Sequence, residues 1–209
     1  MTTPRMWTGR VFIGASLDGF ISRPDGDIDW LTDPAPGPRH ASISSSREVE
    51  GWETFFPSVD HLVMGRGTYE KVLTFDDWPY ADKHVIVMST TLATDDARIT
   101  VVRDLDAAVR ELGSSGAEQV YVDGGQVIQS FLRAGLIDEI SIGWAPVLIG
   151  SGRPLFGDLD DDVHLELIAS NASAGGMVHA TYRVYRAEPA PTGNRTSERR
   201  RPGDRDEQP

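Results

Sequence analysis

Three short segments place glycine, hydroxyl and cationic side chains where a phosphate could be held. They are Gly65-Arg66-Gly67-Thr68-Tyr69-Glu70, Ser89-Thr90-Thr91 and Asp123-Gly124-Gly125-Gln126. Each follows an apolar run rich in Val and Ile, at 61–64, 84–88 and 119–122, the pattern of a parallel strand covered on both faces. Ligands of an open parallel sheet bind outside the carboxyl ends of its strands. Helix N-termini at those ends offer free N–H groups and a partial positive charge. Glycine lets a phosphate approach the backbone, Ser and Thr add donors, and Arg66 adds a full charge with a bidentate fork. Arg66 and Lys71 are the cations expected near these openings. Each segment alone is equally a turn or a cap; their occurrence after three successive buried strands points to a phosphate-rich ligand such as a dinucleotide.

Competing chemistries find no support. No Gly-x-Gly-x-x-Gly follows a strand, because Gly150-Ser151-Gly152-Arg153 runs into Pro154, and there is no Walker-type Gly-Lys-Ser/Thr. No Gly-x-Ser-x-Gly nucleophile elbow occurs. With no Cys, disulfides, thiolate nucleophiles and Cys-based metal sites are excluded. His40, His61, His84, His164 and His179 are too scattered for a metal motif. Asp158 to Asp162 lacks the Gly and the closing Glu of a calcium loop and reads as a solvated turn. No metal is expected.

The elements that must position these residues follow from the same periodicities. Strands are predicted at 11–16, 19–22, 61–64, 84–88, 119–122, 139–144, 163–170 and 177–185. Helices are predicted from Ser44, Ser45 or Ser46 to about 56, stopped by Pro57, and at 68–73, 105–112 and 126–134. A Gly/Pro/Asp-rich loop fills 23–41. The product is a three-layer α/β domain over 1–186, with a mostly parallel central sheet and an antiparallel C-terminal hairpin at one edge. Residues 187–209, with an Arg199-Arg200-Arg201 triplet and nothing apolar larger than Ala, read as a disordered tail. A formal charge of −12 over 209 residues argues against nucleic acid and acidic membrane surfaces as partners. No secretory signal pattern and no apolar run of about 18 residues is present, so a cytoplasmic protein is the expectation.

These openings, with Phe12-Ile13-Gly14-Ala15-Ser16-Leu17-Asp18-Gly19-Phe20-Ile21 and Ala145-Pro146-Val147-Leu148-Ile149-Gly150-Ser151-Gly152, resemble the dihydrofolate reductase-like superfamily. The nearer resemblance is to the reductase domain of bifunctional riboflavin-biosynthesis deaminase/reductase proteins and its stand-alone relatives. The matching segments spread over nearly all of 10–186. The resemblance implies a dihydrofolate-reductase-like fold and NADPH as hydride donor, with the cofactor carrying the redox chemistry. Carried over by position, Arg66 and Thr68 face the adenosine end beside Gly65 and Gly67, with Arg66 near the 2′-phosphate. Ser89, Thr90 and Thr91 line the adenine-ribose side, Gly124, Gly125, Gln126 and Val127 cradle the pyrophosphate, and Ala15 lies beside the nicotinamide. It also implies a homodimer.

On the substrate side, Asp18 sits where the family has an Asp after its first strand. It is a candidate to bind substrate or relay a proton if burial raises its pKa, and its other reading is a tight Asp18-Gly19 turn. Trp30 follows the loop where superfamily members place a Trp at the active-site mouth; its other reading is a packed loop anchor. Folate-reducing members carry a carboxylate on the next helix, but Glu48, Glu50 and Glu53 stand in no matching context. The reading is therefore an NADPH-dependent reductase of a small pterin-like, riboflavin-precursor-like, carbonyl or imine substrate, acting without a deaminase partner. The rival is a nucleotide-binding or interaction module on the same fold without turnover.

Overall fold

The computed structural model describes residues 5–33, 43–44 and 49–185. The tail predicted from 187 lies outside the described residues, as do Ser45 and Ser46, two of the three expected helix caps; Ser44, the third, belongs instead to a strand. One nine-stranded sheet organises the chain, built from β1 (Thr8–Ser16), β3 (Ile43–Ser44), β4 (His61–Gly65), β5 (His84–Met88), β6 (Ile99–Val102), β7 (Gln119–Asp123), β8 (Glu139–Ala145), β10 (His164–Ala172) and β11 (Val178–Tyr185). Their order is β3-β10-β11-β8-β1-β7-β4-β5-β6. From β8 to β6 all neighbours run parallel, whereas β11, β10 and β3 are added antiparallel. The expected mostly parallel sheet with its C-terminal hairpin is thus present, though β3 caps β10 at Asn171–Ala172. A separate two-stranded ribbon joins β2 (Phe20–Ser22) to β9 (Arg153–Pro154).

Both faces of the parallel half are covered, as its unbroken apolar strands require. On one face α4 (Leu105–Ser114) and α5 (Gly125–Arg133) bury Leu112, Ile128 and Phe131 against Val11, Val63, Val120 and Val122. On the other, α2 (Trp52–Ser58) and α3 (Arg66–Val72) bury Phe55, Tyr69 and Val72 against Leu62, Met64, Val85 and Tyr121. Asp104 caps α4 by accepting the Ala107 N–H at 2.7 Å, satisfying one of the first-turn donors.

Besides the two-residue strands β3 and β9, which were not expected, three features depart from the sequence reading. The short α1 (Asp29–Thr32) lies inside the predicted loop. Strand β6 follows β5 without having been expected. Helix α2 starts only at Trp52, because Gly51 is extended (φ −87°, ψ 168°), and Pro57 sits inside its last turn rather than before its end. A proline near the end of so short a helix removes one donor and stops propagation a residue later. Among the described residues, no helix is long and apolar enough to cross a membrane, and no group of three or more His, Asp or Glu is placed to hold a metal ion.

Candidate active site

Because β1, β4, β5, β7 and β8 are parallel, their carboxyl ends share one edge of the sheet. Each of the three phosphate-type segments emerges there. Gly65, extended, turns β4 into α3. Gly124, at φ 87°, turns β7 into α5, and no side chain caps that helix, leaving first-turn N–H groups of α5 to an outside acceptor. The two turns are packed together: a Cβ on Gly124 would lie 2.6 Å from Thr68 Oγ1, and one on Gly125 would lie 2.5 Å from the Pro154 carbonyl oxygen. These glycines are therefore required by positive φ and close packing as well as by any ligand.

Arg66 donates from Nη1 to Thr91 Oγ1 at 3.1 Å and from Nε to Glu70 at 2.6 Å. Two of the segments are thus joined directly. Its ion pair with Glu70 is about half exposed, and such pairs contribute little and exchange readily. Ser89 Oγ accepts the N–H groups of Thr91 and Leu92, so that hydroxyl shapes its own turn. Arg103 donates to the Thr90 carbonyl, and an Arg153 nitrogen lies 2.9 Å from the Cβ position of Gly67. The expectation that Arg66 and Lys71 are the only nearby cations is therefore corrected: Lys71 lies in the last turn of α3, while Arg103 and Arg153 stand at the edge. Val127 is buried in the core and Gln126 is exposed, so Val127 offers a ligand only its backbone.

The substrate-side residues are rearranged. Ala15 is fully buried in the α4/α5-side core, so its side chain faces away from any ligand on the opposite face. Gly14 occupies that opposite face, and Leu31 of α1 fills the space above it, with Cδ2 2.6 Å from a Cβ position. In the next strand Gly143 is level with Gly14. The His179 ring and the Met177 sulfur cover it at 3.2 and 3.1 Å. Burial holds His179 below its ordinary pKa. Trp30 is buried, and its indole Nε1–H has no hydrogen-bond partner among the described residues, a costly omission for a buried donor.

Asp18 differs from the expectation. Its carboxylate accepts from Ser16 Oγ at 2.6 Å and from the N–H groups of Ile149 and Gly150 at 3.2 and 2.7 Å. The Ser16 bond, helped by the two backbone donors, holds it below the usual carboxylate range. A raised pKa, the condition set for proton relay, is not met; Asp18 ties the β1–β2 turn to the loop after β8. Glu50 is likewise engaged, by Arg10.

Asp123 is the carboxyl that sequence reasoning passed over. Strand alternation puts it on the face of Tyr121, the α2/α3 side that also carries Phe12 and Gly14. It caps Gly124, whose N–H it accepts at 2.8 Å. Removal from water pushes its pKa up to about 6, against that bond. Its signal was the residue type immediately before Gly124-Gly125, read only as the start of a turn.

A family model described as the RibD C-terminal domain matches residues 8–179. The uncharacterized Bacillus subtilis protein YwjB is 32% identical over 162 residues, covering 75% of this chain and 87% of that protein. A Shewanella sp. PV-4 protein provisionally assigned to riboflavin biosynthesis is 35% identical in its crystal structure, with a TM-score of 0.72, covering 86% of this chain and 99% of that one. Dihydrofolate reductase from Enterococcus faecalis, complexed with NADP(H) and RAB-propyl, shares the fold at 15% identity, with a TM-score of 0.60 over 86% of this chain and 97% of that one.

Proposed function

The chain belongs to the RibD C-terminal domain family, and on that premise we propose that it is a reductase using NADPH to reduce a small planar heterocycle, or a carbonyl or imine. The family and its neighbours are reductase-type proteins. The observation that carries the cofactor is the carboxyl edge itself, where the uncapped first turn of α5 stands against Thr68 and Arg66 is joined to Thr91. These residues fit an elongated ligand with phosphates at two places. When bound, NADPH supplies a hydride. Arg66 would hold the 2′-phosphate, exchanging Glu70 for it, and the α5 N–H groups would hold the bridging phosphates.

The protein's own task is to place the substrate and supply a proton. The face bearing Gly14 and Gly143 offers bare backbone to a flat ring once Leu31 withdraws, with Trp30 contributing an unused donor nearby in sequence. Asp123, on the same face, is the proton source we assign: a carboxyl with a pKa of about 6 remains partly protonated near neutrality. Asp18 keeps the loops in place. A homodimer remains the expectation from the resemblance, to be checked by light scattering.

The test is calorimetric titration with NADPH and NADH, repeated on Arg66→Gln. Tight NADPH binding that weakens selectively in the variant supports the reading. Absence of heat with both nucleotides refutes it. Tight NADPH binding without oxidation by any pterin, pyrimidine, carbonyl or imine acceptor favours the module without turnover.

A further inference from the structure

Arg153 and Pro154 form β9, which pairs with β2 through Phe20↔Pro154 and Ser22↔Arg153. Gly152 allows this closeness, since a Cβ there would lie 2.2 Å from the Ser22 carbonyl oxygen. Pro154 then seats on α5: its carbonyl oxygen is 2.5 Å from the Cβ position of Gly125 and accepts from Gln129 Nε2 at 3.2 Å. The Arg153 backbone is thereby fixed beside the uncapped start of α5. Its side chain reaches the first turn of α3, where Nη1 lies 2.9 Å from the Cβ position of Gly67, and the turn after β2, where Nη2 lies 3.8 Å from that of Gly26. A side chain at 67 would occupy the space the guanidinium now fills.

So placed, this guanidinium has neither a carboxylate nor a carbonyl partner among the described residues. Arg5, Arg10, Arg23, Arg66, Arg98 and Arg183 each pair with an acid, as expected in a chain of net charge −12. Arg66 reaches the other way, to Thr91 at the end of β5. Two guanidinium groups thus address different positions along one edge. Resting on the cofactor reading above, we propose that Arg153 anchors the diphosphate bridge of the dinucleotide, occupying the room left by Gly67 beside the first turn of α5. Its planar fork suits two phosphate oxygens at once.

The test is calorimetry on the wild-type protein and three variants with NADPH, NADH and ADP-ribose, all of which contain the bridge. Arg153→Gln weakens all three by roughly tenfold to a hundredfold, whereas Arg66→Gln weakens NADPH alone. Gly67→Val, which displaces the guanidinium without removing its charge, weakens all three in the same direction. Arg183→Gln, on the remote hairpin, controls for loss of a positive charge and leaves all three unchanged. Thermal melts of the Arg153 variant match the wild type, because the side chain is exposed and unpaired. Arg153→Gln binding all three ligands as tightly as the wild type overturns the anchor and leaves the cofactor reading standing; so does a loss confined to NADPH. A wild-type protein that binds none of them overturns both.

Discussion

Replacing Asp123 with Asn should stabilise the protein at high pH and do so progressively less as pH falls. The folded carboxyl has a pKa of about 6 against an ordinary 3.8. The raised value means that the folded state holds its proton more tightly than the unfolded chain. Between those pH values the unfolded state ionises first, so stability falls as pH rises and the full cost is reached above about pH 7. At 1.36 kcal/mol per unit, a shift of about two units corresponds to roughly 3 kcal/mol as an upper bound, and to about 1–2 kcal/mol once water reaching a partly exposed group is allowed for. Asn keeps an oxygen to accept the Gly124 N–H and removes the charge. For a domain of this size, 1–2 kcal/mol raises Tm by about 2–8 °C. The assay is a pair of thermal melts at pH 4.5 and pH 8. If Asp123 gives the proton, kcat/KM of the wild type should fall above about pH 6, and the variant should keep only a low rate without that limb. A variant whose Tm difference from the wild type is the same at both pH values would refute the burial argument. A pH–rate profile that keeps its limb in Asp123→Asn would refute the proton assignment.

Other perturbations test separate parts of the construction. Gly124→Ala combines a positive φ with a Cβ 2.6 Å from Thr68 Oγ1, and should cost about 2–3 kcal/mol, partly recovered by Thr68→Ala; both are read by urea denaturation. Phe55→Ala removes a fully buried ring of the α2/α3-side core and should lower stability by about 3–5 kcal/mol. Asp18→Asn should lower Tm at neutral pH. Because the folded pKa is depressed, that loss disappears as pH falls below the ordinary carboxyl range, and the limb of the rate profile above pH 6 should stay. Gly152→Ala places a methyl against the Ser22 carbonyl; it should loosen the β2–β9 ribbon and weaken nucleotide binding by calorimetry even though Arg153 is retained.

What the sequence made readable was local. Strands β4, β5 and β7 carry the apolar runs Leu62–Met64, Val85–Met88 and Val120–Val122 because helices bury both their faces, and such runs announce themselves. Strand β6 is four residues long and mostly half-exposed, so its Ile99-Thr100-Val101-Val102 is too short to separate from a loop. Helix α2 was drawn too long because three serines offer caps equally well, and only the extended backbone at Gly51 decides between starts. The phosphate-type segments were legible since glycine and hydroxyl residues must follow a strand directly to serve that edge. Arg153 was not: it lies far along the chain from Gly67, and only the pairing of β9 with β2 carries it across. Asp18 could be read from its place after β1 as a catalytic group or as part of a tight turn; the donors that meet it, Ser16 and the N–H groups of Ile149 and Gly150, come partly from a distant loop and could not be seen in the sequence.

The arginines explain how an acidic protein can serve an anionic ligand. A net charge of −12 repels an extended polyanion, whose affinity depends on neutralising many phosphates together. On the cofactor reading proposed above, a dinucleotide asks for only a few contacts, and Arg66, Arg103 and Arg153 stand at the carboxyl edge to supply them beside the start of α5. The same arrangement would separate ligands by where their charge lies: Arg66 and Thr91 reward a phosphate at the end of the molecule, and α5 with Arg153 rewards one in its middle. A nucleoside monophosphate can satisfy one position but not both. On that reading, selectivity for the dinucleotide would rest on the spacing of two cations along a sheet edge, which is fixed by β4, β5 and the β2–β9 ribbon and not by the overall charge of the chain.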